Sequence, residues 1–77
     1  MNKARRKSIE ELQDRISELM CEVESIRDEE QEAFDNMPES LQYSERGERM
    51  EEYISTLDDA YSSLEDAYSY LTADNFE

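Results

Sequence analysis

Apolar side chains in the first half of the chain fall at Ile9, Leu12, Ile16, Leu19, Val23, Ile26, Ala33 and Met37, in steps that alternate three and four. Glu30 fills the single missing position, so a heptad seam runs from Ile9 to Met37 without a break. The spacing predicts one long amphipathic helix over about residues 8–36. Ser8-Ile9-Glu10-Glu11 fits a capping box at its start, and Lys3 to Lys7 could extend it backwards. In the second half the seam runs through Met50, Tyr53, Leu57, Ala60, Leu64, Ala67 and Leu71, with Ile54, Tyr61 and Tyr68 beside it widening the stripe. The heptad Leu57-Asp58-Asp59-Ala60-Tyr61-Ser62-Ser63 is echoed by Leu64-Glu65-Asp66-Ala67-Tyr68-Ser69-Tyr70, the mark of a regular helix face. A second helix over about residues 44–72 follows, with Ser44 as its N-cap and Glu45 at the positive end of the helix dipole.

Between them, about residues 37–43 form a connector beside the only proline, Pro38. Equal helices on a short connector favour an antiparallel hairpin, with residues 1–7 as a basic arm. Folding about residue 40 would oppose Val23 to Leu57, Ile16 to Leu64 and Ile9 to Leu71, and would set Gly47 against Ala33 and Phe34. The expected architecture is all-α: a single coiled-coil-like hairpin domain. Its second helix has a stripe too wide for one partner helix, so two copies are expected to pack as a four-helix bundle, with Tyr61, Tyr68 and Tyr70 as dimer or partner anchors. The alternative is a monomer whose tyrosines are covered by its own Lys and Arg stems.

Composition removes most chemistry. Histidine is absent and Cys21 is the only cysteine, so there is no Ser-His or Cys-His pair, no intramolecular disulfide and no cysteine-based zinc cage. Gly47 stands alone, which excludes a glycine-rich phosphate cradle. No enzyme activity, cofactor or metal is expected. Cys21 falls on the outermost line of its helix among Glu18, Glu22 and Glu24, and is expected to be unreactive. Tyr43 and Tyr53, like Tyr70 if no partner exists, read as packing or rim residues. No run approaches the ~18 apolar residues of a membrane span, and the basic start leads into Glu10 and Glu11 where a signal peptide would be apolar. The chain reads as cytoplasmic.

Charge changes the picture more than composition does. The net charge is −14, from 22 acids and 8 bases, and half of the bases are Lys3, Arg5, Arg6 and Lys7. In an antiparallel hairpin that arm lies beside the acidic end of the second helix, so it is expected to be neutralised there and not to grip nucleic acid. Carboxylate doublets recur at Glu51-Glu52, Asp58-Asp59 and Glu65-Asp66. They repeat every ~10.5 Å along a helix, on a face turned away from the expected seam. Glu11 with Arg15 and Glu45 with Arg49 are spaced as i,i+4 pairs, but beyond Arg49 the second helix holds no base at all. Seam residue Glu30 is expected to set register and, close to the connector, either to reach solvent or to pair with Arg46 or Arg49.

A solvated acidic face that keeps the protein dispersed is the simplest account of the doublets. A rod studded with carboxylates can also present a phosphate-like pattern to a protein that grips nucleic acid. The segments Met1-Asn2-Lys3-Ala4-Arg5-Arg6-Lys7, Asp28-Glu29-Glu30-Gln31-Glu32-Ala33-Phe34-Asp35-Asn36-Met37-Pro38-Glu39-Ser40-Leu41-Gln42 and Ser44-Glu45-Arg46-Gly47-Glu48 resemble small acidic proteins of phages, prophages and mobile elements of Gram-positive bacteria. The resemblance spans nearly the whole chain. It implies a setting among accessory phage genes, some of whose products block host defence nucleases by imitating DNA, in the host cytosol. The expected function is therefore a non-enzymatic acidic protein, anti-CRISPR-like, in which Glu51, Glu52, Asp58, Asp59, Glu65 and Asp66 occupy the nucleic-acid-binding surface of a basic host protein such as a defence nuclease. It would not itself bind nucleic acid or membrane. The alternative is a small structural or adaptor coiled coil that acts through apolar helix pairing.

Overall fold

A computed structural model describes all 77 residues. Three helices, α1 (Lys3–Asp35), α2 (Glu39–Gln42) and α3 (Glu45–Tyr70), are followed by a 3₁₀ turn over Ala73–Phe76. The two long helices pack antiparallel as a hairpin, a rod of 58 × 14 × 13 Å. Its radius of gyration is 17.5 Å, against ~11.5 Å expected for a compact chain of this length.

The basic arm is helical. Ala, Arg and Lys are strong helix formers and nothing among them interrupts the backbone ladder, so α1 begins at Lys3 and not at the Ser8 box. Asn2 is the cap, its Oδ1 accepting from the Arg5 amide at 2.8 Å, while the Ser8 hydroxyl donates back to the Ala4 carbonyl. Pro38 lacks the amide needed to continue α1. The chain then makes the single turn α2, and Gln42 Nε2 reaches back to the carbonyls of Phe34 (3.0 Å) and Met37 (3.2 Å). Those are among the acceptors left open where α1 ends. Ser44 caps α3 as its sequence position suggests, accepting from the Gly47 amide at 3.4 Å. At the far end Asn75 Nδ2 donates to the Tyr70 carbonyl at 3.0 Å, closing α3 at Tyr70 and folding the tail back.

Gly47 is buried, and what crowds it most closely is the backbone of Leu41 and Gln42. A Cβ on Gly47 would lie 2.1 Å from the Gln42 carbonyl oxygen and 2.7 Å from that of Leu41. Its backbone has no left-handed conformation; the bare Cα is there because α2 crosses directly over it.

The seam itself differs from the expected one. Along α1 and into the connector the partly covered residues are Ile9, Gln13, Ile16, Met20, Val23, Arg27, Glu30, Gln31, Phe34 and Met37. The line through Ile9, Ile16, Val23, Glu30 and Met37 is the expected one. Its companion is the line Gln13-Met20-Arg27-Phe34, and Leu12, Leu19, Ile26 and Ala33 are left outside. On α3 the companion to Met50, Leu57, Leu64 and Leu71 is likewise Gly47-Ile54-Tyr61, not Tyr53-Ala60. On a helix of 3.6 residues per turn, positions three after and four after a given residue flank it on either side at similar angles. Each helix therefore has two candidate faces, and the hairpin takes the one that seats Phe34, Ile54 and Tyr61. Its polar members find partners: Gln13 Nε2 donates to the Tyr68 carbonyl at 3.1 Å, and Arg27 Nε donates to Asp58 Oδ1 at 2.9 Å. Only Met50 and Ile54 are buried apolar side chains.

Candidate functional site

The shifted seam redistributes the candidate residues. The carboxylate doublets do not all face away from α1. Glu51, Asp58 and Glu65 emerge beside the seam, and Asp58 bridges to Arg27 across the hairpin. Glu52, Asp59 and Asp66 lie one residue further round, on the outer side. Both lines are solvent-exposed. Together they form a broad carboxylate ridge on α3, its two lines about 100° apart with Ser55, Ser62 and Ser69 between them, and the exposed Glu10 and Glu24 of α1 lie on the flank of the first line.

Few of these charges are balanced. The ion pairs within 4.0 Å are Arg27 with Asp28 and with Asp58, and Arg49 with Glu45. Arg27 is held more firmly protonated than usual, chiefly by its hydrogen bond to Asp58. Glu30 sits half-buried at its seam position but pairs with neither Arg46 nor Arg49, and Glu11 does not bridge to Arg15. Nor does the arm make the expected neutralising pairs. Arg6 and Glu77 line one hollow with Ile9, Leu71 and Phe76, but none of Lys3, Arg5, Arg6 and Lys7 bridges to a carboxylate.

The three candidate anchor tyrosines separate. Tyr61 is half-buried against its own hairpin, where it lines a hollow between the helices with Val23, Arg27, Leu57 and Asp58. Partial desolvation, and then the nearby charges of Glu24 and Glu65, push its phenol above the ordinary value. Tyr68 lies at the seam edge at 37% exposure, and Tyr70 stands free at 73%. Cys21 is exposed on an acidic surface shared with Glu24, Asp28, Glu29 and Glu32. No group of side chains is arranged to hold a metal ion, and no helix is long and apolar enough to cross a membrane.

No family model, curated protein or solved structure matches the chain. Its chemistry rests on its own geometry.

The apolar surface that sequence reasoning assigned to the seam lies open. Leu12, Leu19 and Ile26 are 44%, 47% and 54% exposed at seven-residue intervals along α1. Tyr53, Ala60 and Ala67 hold the equivalent line on α3, with Tyr53 and Ala60 exposed and Ala67 half-buried. The members of an antiparallel pair are related by an approximate two-fold axis normal to the plane of the hairpin. Equivalent lines therefore emerge on the same side. The hairpin thus has an apolar side and, opposite it, the flank that bears Glu51, Asp58 and Glu65, while Glu52, Asp59 and Asp66 line the outer edge of α3.

Proposed function

We propose that this chain is a non-enzymatic acidic binding protein that assembles as a homodimer and lays its carboxylate ridge into the basic, nucleic-acid-binding surface of a host protein, as a DNA-mimicking inhibitor of a defence nuclease would. The observation that carries the reading is the ridge Glu51, Glu52, Asp58, Asp59, Glu65 and Asp66, in which only Asp58 has a basic partner. Unpaired like charges on one flank weaken a fold, so their retention is better explained by an external partner than by folding. The rod carries a net charge of −14 over 58 Å. That is about one charge per 4 Å, near the ~3.4 Å of a single nucleic-acid strand.

Replacing Asp58, Asp59, Glu65 and Asp66 with Asn or Gln tests this. Immobilised wild-type chain should capture a nucleic-acid-binding protein from host lysate at low salt and release it to high salt or to added duplex DNA. The quadruple variant should capture none. A captured partner indifferent to duplex DNA and to the four substitutions refutes the mimicry.

A second reading, a small adaptor that acts through apolar helix pairing, is favoured by the exposed Leu12-Leu19-Ile26 line. It predicts a partner retained at high salt and lost when that line is made polar.

A further inference from the structure

The chain exposes 5980 Å² at a mass of 9.1 kDa. A compact monomer of that mass exposes ~4,900 Å². The surplus is about 1,100 Å² per chain, somewhat more than the ~800 Å² per partner of a standard stable interface. It is also concentrated. Beyond Arg49 the carboxylates of α3 stand only on the two lines of the doublets, with Ser55, Ser62 and Ser69 between them. The sector from Thr56, Ser63 and Tyr70 to Tyr53, Ala60 and Ala67 holds no charge. Depletion of charge around an apolar strip is the compositional mark of an interface core.

We infer that a second copy of this chain covers the Leu12-Leu19-Ile26 and Tyr53-Ala60-Ala67 side, face to face, with α1 of each copy lying over α3 of the other. This rests on the homodimer reading above and deepens it by moving the interface away from Tyr61. Shape sets the pairing. The α1 half of the face is built of Leu and Ile, the α3 half mainly of Ala. Seating α1 on the other copy's α3 puts large side chains into small ones along the strip, whereas α1 on α1 would set Leu against Leu and hold the alanines apart. Every helix then has antiparallel neighbours, as in an up-and-down bundle.

Charge agrees with that choice. Arg5 and Arg46 continue the two lines of this face, one at each end, and neither has an ion-pair partner within its own chain. In the proposed pairing the N-terminal end of α1, with Arg5, overlies the second copy's acidic C-terminal end, which carries Asp66, Asp74 and Glu77. The carboxylate ridges stay outside, one on each side of the bundle. Two rods in register double the linear density of the net charge on 58 Å to about one per 2 Å, against ~1.7 Å in duplex DNA.

Sedimentation of the full-length chain over a range of concentrations tests this. Wild type should be dimeric at micromolar concentration. Leu19→Glu with Ile26→Glu should weaken association at least ~100-fold, since each buries an unpaired charge at the centre of the face, while circular dichroism stays helical. If that variant unfolds, Ala60→Gln with Ala67→Gln decides: both are good helix formers, they add bulk without charge, and they should also give monomers. Tyr61→Phe should leave the dimer intact. A monomeric wild type overturns both this proposal and the homodimer reading. A dimer that survives both pairs of substitutions overturns this face alone and leaves the homodimer reading standing.

Discussion

Gly47→Ala separates two views of this hairpin. In an ordinary helix interior the change stabilises, because alanine is favoured over glycine by ~1 kcal/mol. Gly47 lies in the first turn of α3 with no positive φ, so local conformation alone predicts a gain. The tertiary structure predicts a loss. A Cβ there would sit 2.1 Å from the Gln42 carbonyl oxygen, 2.6 Å from its carbon and 2.7 Å from the Leu41 oxygen. All three are backbone atoms, so no rotamer change relieves the clash. The one-turn α2 must lift off α3, which pulls on the Gln42 bonds to Phe34 and Met37 and on the Ser44 cap. Overpacking costs ~1–3 kcal/mol where a core can partly adjust, and losing one cap adds ~1 kcal/mol. Set against the gain of ~1 kcal/mol in propensity, the net expectation is a loss of about 2 kcal/mol. For a domain of this size that lowers Tm by ~8–16 °C. Thermal melts followed by circular dichroism, at a fixed chain concentration, measure it. A Gly47→Ala chain that melts at or above the wild-type temperature would show that α2 does not press on α3, and the hairpin connection described above would be wrong.

Three further outcomes follow from the same contacts. Ser44→Ala should cost about 1 kcal/mol in denaturant titrations, because Ser44 alone satisfies the Gly47 amide; Ser44→Asp should restore most of it. Arg27→Met should change stability by no more than ~1 kcal/mol, since its pair with Asp58 is largely solvent-exposed; a larger loss in the same titrations would make this bridge essential to hairpin register. Tyr61 gives a pH dependence of definite sign. Its phenol is raised in the fold, so the folded state holds that proton more tightly than the unfolded one. Its contribution is complete below the unfolded value of about 10 and fades as pH rises through the higher folded value. Spectrophotometric titration should show one of the tyrosines ionising late, and Tyr61→Phe should remove both that late step and part of the alkaline loss of stability.

Much of the hairpin can be read from the residues, for identifiable reasons. The uninterrupted three-four spacing, the single proline at the midpoint and the Ser44 cap are local signals, and each acts where it stands. The seam was misread on both helices because its rule is not local. Leu12-Leu19-Ile26-Ala33 is wholly apolar, whereas the line that packs, Gln13-Met20-Arg27-Phe34, contains a glutamine and an arginine. Hydrophobicity alone favours the first. The hairpin nonetheless takes the second, which seats Phe34, Ile54 and Tyr61, and its polar members Gln13 and Arg27 meet Tyr68 and Asp58 across the gap, partners visible only once both helices are placed. The same holds for Gly47, whose reason is a backbone crossing, and for the N-terminal arm, where four bases looked like a tail but are good helix formers with Asn2 to cap them.

The misread line still carries information. An apolar heptad line that the hairpin does not use has no intramolecular reason to exist, and a chain of net charge −14 would gain from a polar replacement at each of its positions. The acids argue the same way. A coat that served only to keep helices apart in solution would be spread around α3, yet beyond Arg49 they stand on the two lines that flank Ser55, Ser62 and Ser69 and leave the Thr56-Ser63-Tyr70 line beside the apolar strip uncharged. An open apolar strip and a run of acids with little counter-charge, set on different sides of a rod, are what a protein needs if it must both join a second copy and meet a basic partner. The two contacts then respond oppositely to salt. Screening relieves the repulsion between two acidic chains and tightens the proposed dimer, while it releases the proposed partner. A single apolar adaptor surface would give the first response without the second, and a solubilising acidic coat would give neither.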